Sequence, residues 1–414
     1  MSLWRLVYAY AWRRPLSTML VVLLLAIGVA TVTLTLLLTH ELEDRLTRDA
    51  AGIDLVVGAK GSPLQLVLAG VYHADVPPGN IPLASIDELR RHPLIAQVMP
   101  LALGDSVRGF RIVGTEPSLI AHYGGKVQSG QVWQKPMEAV LGSAAARATG
   151  LTVGDAFTGS HGLAEGGGEH ESAPYRVTGV LAPTGTVLDR LVLSSIESVW
   201  AVHAAHEEHD SEDNERANKN ATGVAPAHAL PEPAREVTLA LVRYRSPLAA
   251  ATLPRAINKE TELVAASPAF ETARLLTVFG MGIDVIRAFA LMLVGASALM
   301  LFVALAQALE ERRYDLAILR TLGASRTQIA SVLLAESMLL VLCGTVIGIV
   351  LAHGAALGIG IWIPQAAPLA AAATRWLPAE WAVIMLALAV GIIAAMWPAW
   401  RAYRLDVAAT LADT

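Results

Sequence analysis

The sequence predicts an α-helical membrane protein in which four transmembrane helices carry one large extracytoplasmic α/β domain, placed between the first and second helices. The chain of 414 residues is 54% hydrophobic and only 16% charged, whereas soluble proteins contain about 25% charged residues. Its uncharged stretches are few, and each is long enough to cross a bilayer, which takes about 20 residues. A long, turn-rich segment of mixed polarity separates the first stretch from the other three.

The first apolar stretch runs from Pro15 to His40 and follows a basic segment that contains Arg5, Arg13 and Arg14. It is longer than the apolar core of a secretory signal, and no small-residue cleavage site follows it, so we expect a retained anchor. The other three stretches occupy residues 288–309, 327–374 and 381–400, of which 327–374 contains Glu336 and is uncharged from Ser337 onward. The 327–374 stretch has room for a membrane helix and a short returning segment.

Arginine residues near the ends of these stretches predict the orientation of the chain. They cluster before the first stretch, between the second and third, and after the fourth, and only Arg375 lies between the third and fourth. Because cytoplasmic segments are enriched in Lys and Arg, both termini are expected in the cytoplasm and the large domain outside. Four helices alone enclose too little space for a transport path, so a dimer is expected.

Small residues recur at four-residue spacing in two of the apolar stretches. Gly344 and Gly348 form a pair, and Ala387, Gly391 and Ala395 form a row. In lipid, helices pack closely where small side chains let their backbones approach. Two interpretations stay open, a packing seam and chance spacing, since Ala and Gly are abundant in this chain.

Residues 41–282 mix helical and strand periods between turn residues, which predicts a globular α/β domain between the membrane segments 1–40 and 283–414. The sequence predicts helices at 86–92, 195–202 and 248–260. It predicts strands at 97–103, 107–113, 139–141, 175–181, 186–193, 237–244 and 263–266, with a turn at Gly104-Asp105. The middle of this region, at about 139–235, is expected to be a smaller β-rich insertion that includes a histidine-rich loop at 203–233.

That loop carries His203, His206 and His209, followed by acidic residues. Imidazole nitrogens are common zinc ligands, so a zinc site is one interpretation. The other is a polar surface loop, because the segment has little core material. On a helix, three histidines at this spacing would turn through about 120° around the axis, which makes a shared ion difficult.

Missing motifs and composition exclude several functions. No G-x-x-x-x-G-K-[ST] occurs, so the chain cannot bind ATP through a P-loop, and any energy source must be another subunit. G-x-S-x-G and H-E-x-x-H are also absent, and we therefore expect a non-catalytic chain without a cofactor of its own, zinc excepted. The single cysteine, Cys343, excludes a disulfide framework. The 31 Lys and Arg residues of the chain are scattered along the sequence, which argues against nucleic-acid binding.

The segment between the second and third stretches predicts a short amphipathic helix at 310–324. Leu309, Leu316 and Leu319 recur at helical spacing. Gly323 is a suitable helix stop, and Ser325 with Gln328 predicts a capping box at the start of the next helix. The segment is interpreted as a docking element, and the alternative is a solvated connector whose charges only fix orientation.

At this point the sequence resembles the FtsX-like ABC permeases, of which the MacB and lipoprotein-releasing permeases are members. The resemblance rests on residues 311–325, ERRYDLAILRTLGAS, on Glu336 shortly after them, and on the tail PAWRA at 398–402. It extends to the layout of one helix, a large outside domain and three further helices. The absence of a fused ATPase domain and the histidine-rich loop both depart from MacB.

The resemblance implies a bacterial inner-membrane protein, a second permease subunit, here in a homodimer, and two copies of a separate ABC ATPase that bind ATP and Mg²⁺. The short helix would sit in a groove on the ATPase and pass its movement to the outside domain, a mode termed mechanotransmission. Carried over by position, the docking residues are Arg312, Arg313, Asp315, Leu316, Leu319 and Arg320, with Gly323 permitting the turn. The membrane-embedded Glu336 is interpreted either as a coupling residue or as an acid that reaches the headgroups in a structural role.

Three functional hypotheses follow. The first is a permease subunit that handles a lipophilic, lipoprotein-like or metal-related cargo, with a periplasmic adaptor or binding protein as a further partner. The second is a signalling scaffold that activates a periplasmic hydrolase without moving anything. The third is a membrane metal-binding protein that acts through its histidine loop. The cargo, its direction of movement and the choice between homodimer and heterodimer stay open at this stage.

Overall fold

The computed structural model describes residues 15–161, 174–202, 235–363 and 366–404. The chain divides into two compact units. The helical unit comprises the chain up to Asp44 and from Thr277 onward, and the domain unit comprises Arg45–Leu276. Each unit is built around hydrophobic clusters of its own.

Four helices are long and apolar enough to cross a membrane, as predicted. They are α1 (Pro15–Asp49), α8 (Pro268–Glu311), α10 (Arg326–Trp362) and α12 (Pro378–Tyr403). Two short helices accompany them, α9 (Arg313–Thr321) and α11 (Ala367–Ala372). The stretch with room for a helix and a second short segment thus contains α10 and α11, and the predicted fold class is confirmed.

Small residues create the packing seams of the helical unit. A Cβ added to Gly348 would lie 2.7 Å from the Ala26 carbonyl oxygen, which leaves no room for a side chain between α10 and α1. On the other side of α10, an added Cβ on Gly391 would lie 2.5 Å from a Val341 methyl carbon. The Ser337 hydroxyl also donates to the Gly391 carbonyl at 3.0 Å. Of the two interpretations of these small residues, close packing is therefore the correct one.

The domain unit is built on one mixed sheet. Its strands are β1 (Leu55–Ala59), β3 (Ile95–Val107), β4 (Phe110–Thr115), β5 (Val127–Gly130), β6 (Glu138–Leu141), β7 (Ala156–Phe157), β8 (Ser160–His161), β9 (Tyr175–Leu181), β10 (Val192–Ser194), β12 (Leu239–Tyr244) and β13 (Leu263–Ala266). The order is β13-β1-β12-β3-β4-β10-β6-β9-β5, with β7 on β9 and β8 on β3. β2 (Ile81–Pro82) and β11 (Glu236–Val237) form a separate pair.

Side chains alternate between the faces of this sheet, and helices cover both. The domain helices are α2 (Pro63–Gly70), α3 (Leu83–Arg91), α4 (Ser118–His122), α5 (Ser143–Thr149), α6 (residues 196–202) and α7 (Leu248–Glu260). In β1, Val56 belongs to the cluster with Leu66 of α2, whereas Leu55 belongs to the cluster with Ile86 of α3 and Leu253 of α7. This period of two is the pattern of a strand buried on both faces.

In the region predicted to be a smaller β-rich insertion, β6, β9 and β10 pair onward from β4 in the same sheet. The helix at 248–260 and the strands at 175–181 and 263–266 begin and end as predicted. Residues 187–190, expected in a strand, form a turn of 3₁₀ helix instead.

The turn predicted at Gly104-Asp105 is wrong. Strand β3 continues to Val107, and the chain reverses at Arg108 and Gly109, which both have positive φ values of 48° and 80°. A two-residue hairpin turn with both residues in the left-handed region matches the twist of the flanking strands, so the reversal occurs there.

Candidate functional site: the short helix between α8 and α10

The end of helix α9 and the start of helix α10 are defined by local hydrogen bonds and by one glycine. At its end the Ala324 amide donates to the Leu319 carbonyl at 3.0 Å, and Gly323 adopts a φ of 100°, which a residue with a side chain would rarely adopt. Helix α10 then begins with the predicted capping box. The Gln328 amide donates to the Ser325 hydroxyl at 3.2 Å, and the Ser325 amide donates to the Gln328 side chain at 2.9 Å. Together these contacts fix the direction in which the chain leaves α9.

One side of α9 is packed into the helical unit. Leu316 and Ala317 are buried in a cluster that includes Leu309 of α8 and Leu333 of α10. Leu319 is partly buried against the same cluster. The side chain of Leu316 fills the interior of the unit, and its predicted role in docking stays a prediction.

The other side of α9 is exposed and apolar. Tyr314, Ile318 and Leu322 are spaced four residues apart, so they follow one another along one side of the helix, and Leu322 is 79% exposed. Arg313 and Asp315 are exposed beside them. The docking residues carried over from the family by position thus fall on both sides of α9, and the spacing of its apolar residues alone does not tell which side packs inward. We call Tyr314, Ile318 and Leu322 the outer face of α9.

A buried ion pair anchors the start of α9. The Arg312 guanidinium lies 3.0 Å from the Glu336 carboxylate of α10, and the two side chains are only 9% and 7% exposed. Arg312 is thus buried and not on the exposed side of α9, and Glu336 pairs with it inside the helix bundle. The predicted roles of Arg312 in docking and of Glu336 in coupling or at the headgroups stay predictions. Burial of both charges is tolerated because each neutralises the other.

A second set of charges joins α9 to the end of α12. The Glu310 carboxylate lies 3.1 Å from Arg313 and 2.9 Å from Arg401. Because these side chains are about half exposed, the pairs contribute little to stability. Their effect is positional, since one carboxylate links α9 and α12. The start of α9 is thus connected to both α10 and α12.

Of the remaining predicted residues, Arg320 lies partly buried on α9.

The sequence analysis missed a second buried acid, Glu380, at the start of α12. Its carboxylate lies 3.0 Å from Nε2 of His353 in α10 and also accepts from the Leu377 amide at 2.9 Å. Nδ1 of His353 lies 2.7 Å from the Ala373 carbonyl oxygen and must donate, since a carbonyl oxygen only accepts. One further proton is therefore shared between His353 and Glu380. An acid in the first turn after Pro378 was the signal available in the sequence.

The predicted zinc ligands His203, His206 and His209 lie outside the described residues. Within residues 15–161, 174–202, 235–363 and 366–404, no group of three or more His, Cys, Asp or Glu side chains could hold a metal ion. A zinc site at these histidines therefore stays a prediction.

Two protein-family models match the chain. Residues 18–236 match the MacB-like periplasmic core domain, and this match alone spans more than half of the chain. Residues 287–407 match the FtsX-like permease C-terminal region, which includes α9 and its partners in α10 and α12. No curated protein matches the chain significantly.

Two solved structures are similar in part. The periplasmic region of MacB from Actinobacillus actinomycetemcomitans is 13% identical, with a TM-score of 0.33, over 55% of this chain and 95% of that one. The extracellular domain of the noncanonic ABC-type transporter YknZ from Gram-positive bacteria is 13% identical, with a TM-score of 0.28, over 52% and 99%. Both likenesses are weak, and the assignment rests on the two family models.

These matches confirm the resemblance found in the sequence, and the family consists of membrane subunits that are generally non-catalytic. The four apolar helices agree with a multi-pass membrane protein that carries an extracytoplasmic domain. The chain therefore belongs to the FtsX/MacB-type family and is an ABC-transporter-type permease subunit.

Proposed function

We propose that this permease is driven by a separate ATPase subunit that docks on the outer face of α9 and moves the extracytoplasmic domain by mechanotransmission. The observation that carries the proposal is the asymmetry of α9. Its inner side and its start are held by α8, α10 and α12, whereas Tyr314, Ile318 and Leu322 are exposed. A helix held in this way passes an applied force to the helices that hold it.

The outer face defines the chemistry of the partner's groove. Three large apolar side chains in a row fit an apolar groove, and the exposed Asp315 beside them fits a positive charge at its rim. ATP and Mg²⁺ are bound by the partner, of which we expect two copies, because this sequence has no P-loop.

Movement of α9 reaches the membrane helices through its charged contacts. The Arg312–Glu336 pair connects the start of α9 to α10, and Glu310 connects it to Arg401 of α12. An ion pair buried between two helices resists separation, since pulling it apart would leave a charge without its partner in an apolar surrounding. A shift of α9 is therefore expected to move α10 and α12 with it.

The wider assembly follows the same proposal. Two permease copies pair in a bacterial inner membrane with both termini and α9 on the cytoplasmic side, as the arginine distribution predicts. The domain acts outside on a lipophilic, lipoprotein-like or metal-related cargo, with an adaptor or binding protein as a further partner. Cargo need not pass between the membrane helices if the domain does the mechanical work.

The test compares two Leu→Asp variants of the full-length protein. Leu322 lies on the outer face of α9, and Leu248 at the start of α7 is a matched control, with 79% and 64% exposure. A charge in an apolar docking groove is strongly unfavourable. Leu322→Asp should abolish co-purification of Mg²⁺-dependent ATPase activity with the tagged permease, whereas Leu248→Asp should retain it.

Loss of the ATPase in both variants, or in neither, contradicts docking on α9. Isolation of a peptidoglycan hydrolase as the partner, with no ATPase in the wild-type preparation, would favour the signalling scaffold instead. A thermal unfolding midpoint for Leu322→Asp equal to that of the wild type shows that the helical unit is intact.

A further inference from the structure

The last carbonyl groups of α1 are held by side chains of the domain unit. The Tyr72 hydroxyl donates to the Leu46 carbonyl at 3.4 Å, and the Tyr123 hydroxyl donates to the Asp49 carbonyl at 2.9 Å. Just past the helix, Nε2 of His122 lies 3.0 Å from the Ala51 carbonyl oxygen. The Leu46 carbonyl also accepts from the Ala50 amide at 3.1 Å, so the Tyr72 hydroxyl is a second donor to it. The Tyr123 hydroxyl supplies a partner for the last carbonyl of the helix, which has none within the helix.

The side chain of Asp49 fixes the same helix end to another part of the domain. Its carboxylate accepts a hydrogen bond of 2.6 Å from the Val187 amide and lies 3.4 Å from the Arg190 guanidinium. Asp49 is buried. The end of α1 is thus held from two sides, by the tyrosines and by the 3₁₀ turn before β10.

Tyr72 differs from the other residues because it also contacts α8. Its hydroxyl lies 2.5 Å from the Thr272 hydroxyl, in the second turn of that helix. A phenol has one hydrogen, so while Tyr72 donates to Leu46 it accepts from Thr272. Burial is the main cause that raises the pKa of Tyr72, and the charge of Asp49 raises it further. The hydroxyl therefore keeps its hydrogen. One hydroxyl therefore links the domain ends of α1 and α8.

We propose that Tyr72 is a positioning residue that locks the domain ends of α1 and α8 to each other and to the sheet, so that the domain responds only to concerted movement of both helices. The purpose of this lock rests on the proposed function, but the lock itself is a property of the permease alone. The hydroxyl carries the effect, because the ring of a phenylalanine would fill the same buried space beside Val71 and the other members of its cluster.

Hydrogen exchange of the full-length chain in lipid nanodiscs tests the lock with three variants that each remove one hydroxyl. Tyr72→Phe should speed amide exchange about fivefold in both 46–53 and 271–276, as expected for the loss of one hydrogen bond. Tyr123→Phe should speed exchange only in 46–53, and Thr272→Val only in 271–276. Exchange in β3 and β12 should stay unchanged in all three.

The proposal is overturned if Tyr72→Phe changes neither segment, or only 46–53, because the hydroxyl would then not link the two helices. It is also overturned if β3 and β12 exchange faster by the same factor, since the hydroxyl would then serve general stability. Each of these exchange results tests the link between α1 and α8 without any partner protein.

The functional consequence is measured in the complex with the ATPase. In a Cys343→Ser background, spin labels at Gln128→Cys report the distance between the domains of two permease copies. Tyr72→Phe should retain the ATPase and its hydrolysis but lose the ATP-dependent change in that distance, and an unaltered change would contradict the role in coupling. If the wild type binds no ATPase, the proposed function fails while the exchange result still stands.

Discussion

Replacing Glu336 by Gln should destabilise the helical unit strongly, because the change removes the negative charge that pairs with Arg312. The change removes almost no volume, so the loss of stability reports on the charge. The Arg312 guanidinium, 3.0 Å away and 9% exposed, would lose its carboxylate partner in a setting that water hardly reaches. Breaking a buried ion pair in this way costs about 3–5 kcal/mol. We expect a loss near the lower end, about 3 kcal/mol, since the amide of Gln can still accept a hydrogen bond from the guanidinium.

The free energy of unfolding is measured by SDS titration of the purified chain in mixed micelles, for the wild type and for a double-mutant cycle. Replacing both partners, with Arg312→Met and Glu336→Leu, should restore most of the lost stability, because two apolar side chains of similar size need no partner. The recovery separates the loss of a charge partner from poor packing.

The matched control is the exposed pair of Asp284 and Arg287, 3.3 Å apart. Asp284→Asn should cost less than about 1 kcal/mol, as is usual for surface pairs. An equal effect of Glu336→Gln and Asp284→Asn would refute the reasoning, because it would mean that burial does not strengthen the Arg312–Glu336 contact.

Two further outcomes are expected. Gly348→Ala should lower the unfolding free energy of the helical unit by about 2 kcal/mol through overpacking against Ala26, whereas Gly354→Ala on the same helix meets no atom within 4 Å and should cost nothing; equal effects in the same SDS titration would argue against the seam. In the domain unit, burial and the charges of two arginines lower the pKa of His73 to about 3. Because its unfolded pKa is higher, near 6.5, the unfolded state takes up the proton first, so stability should fall as the pH drops below about 6.5, by up to about 2 kcal/mol at a pH of about 5. His73→Asn, which suits the φ of 52°, should flatten this pH dependence in urea unfolding, and an unchanged slope would assign the acid sensitivity elsewhere.

Much of the fold could be read from the sequence because the signals were local and strong. Uncharged stretches fixed the membrane helices, and the Gly323 stop and the Ser325–Gln328 capping box fixed the ends around α9. The hairpin turn was misplaced because Gly104-Asp105 and Arg108-Gly109 both carry a turn signal. Pairing between β3 and β4 decides between them, and pairing is not visible locally.

The candidate site could be located from the sequence, but its orientation could not. The spacing of Leu316 and Leu319 predicts an apolar side of α9, and that of Tyr314, Ile318 and Leu322 predicts another. Only the packing against α8 and α10 shows that the first is interior. Likewise the pairing of Glu336 with Arg312 follows from how α9 and α10 meet in space, and the separation of the two residues along the chain does not reveal it.

The central claim is that a separate ATPase binds the outer face of α9. A photoreactive amino acid introduced in place of Ile318 in the full-length protein tests it most directly, with the same residue at Leu248 as the control. The account predicts an adduct at position 318 whose mass equals the permease plus one ABC ATPase, and no such adduct at position 248. Adducts of the ATPase at both positions, or at neither, would contradict the account.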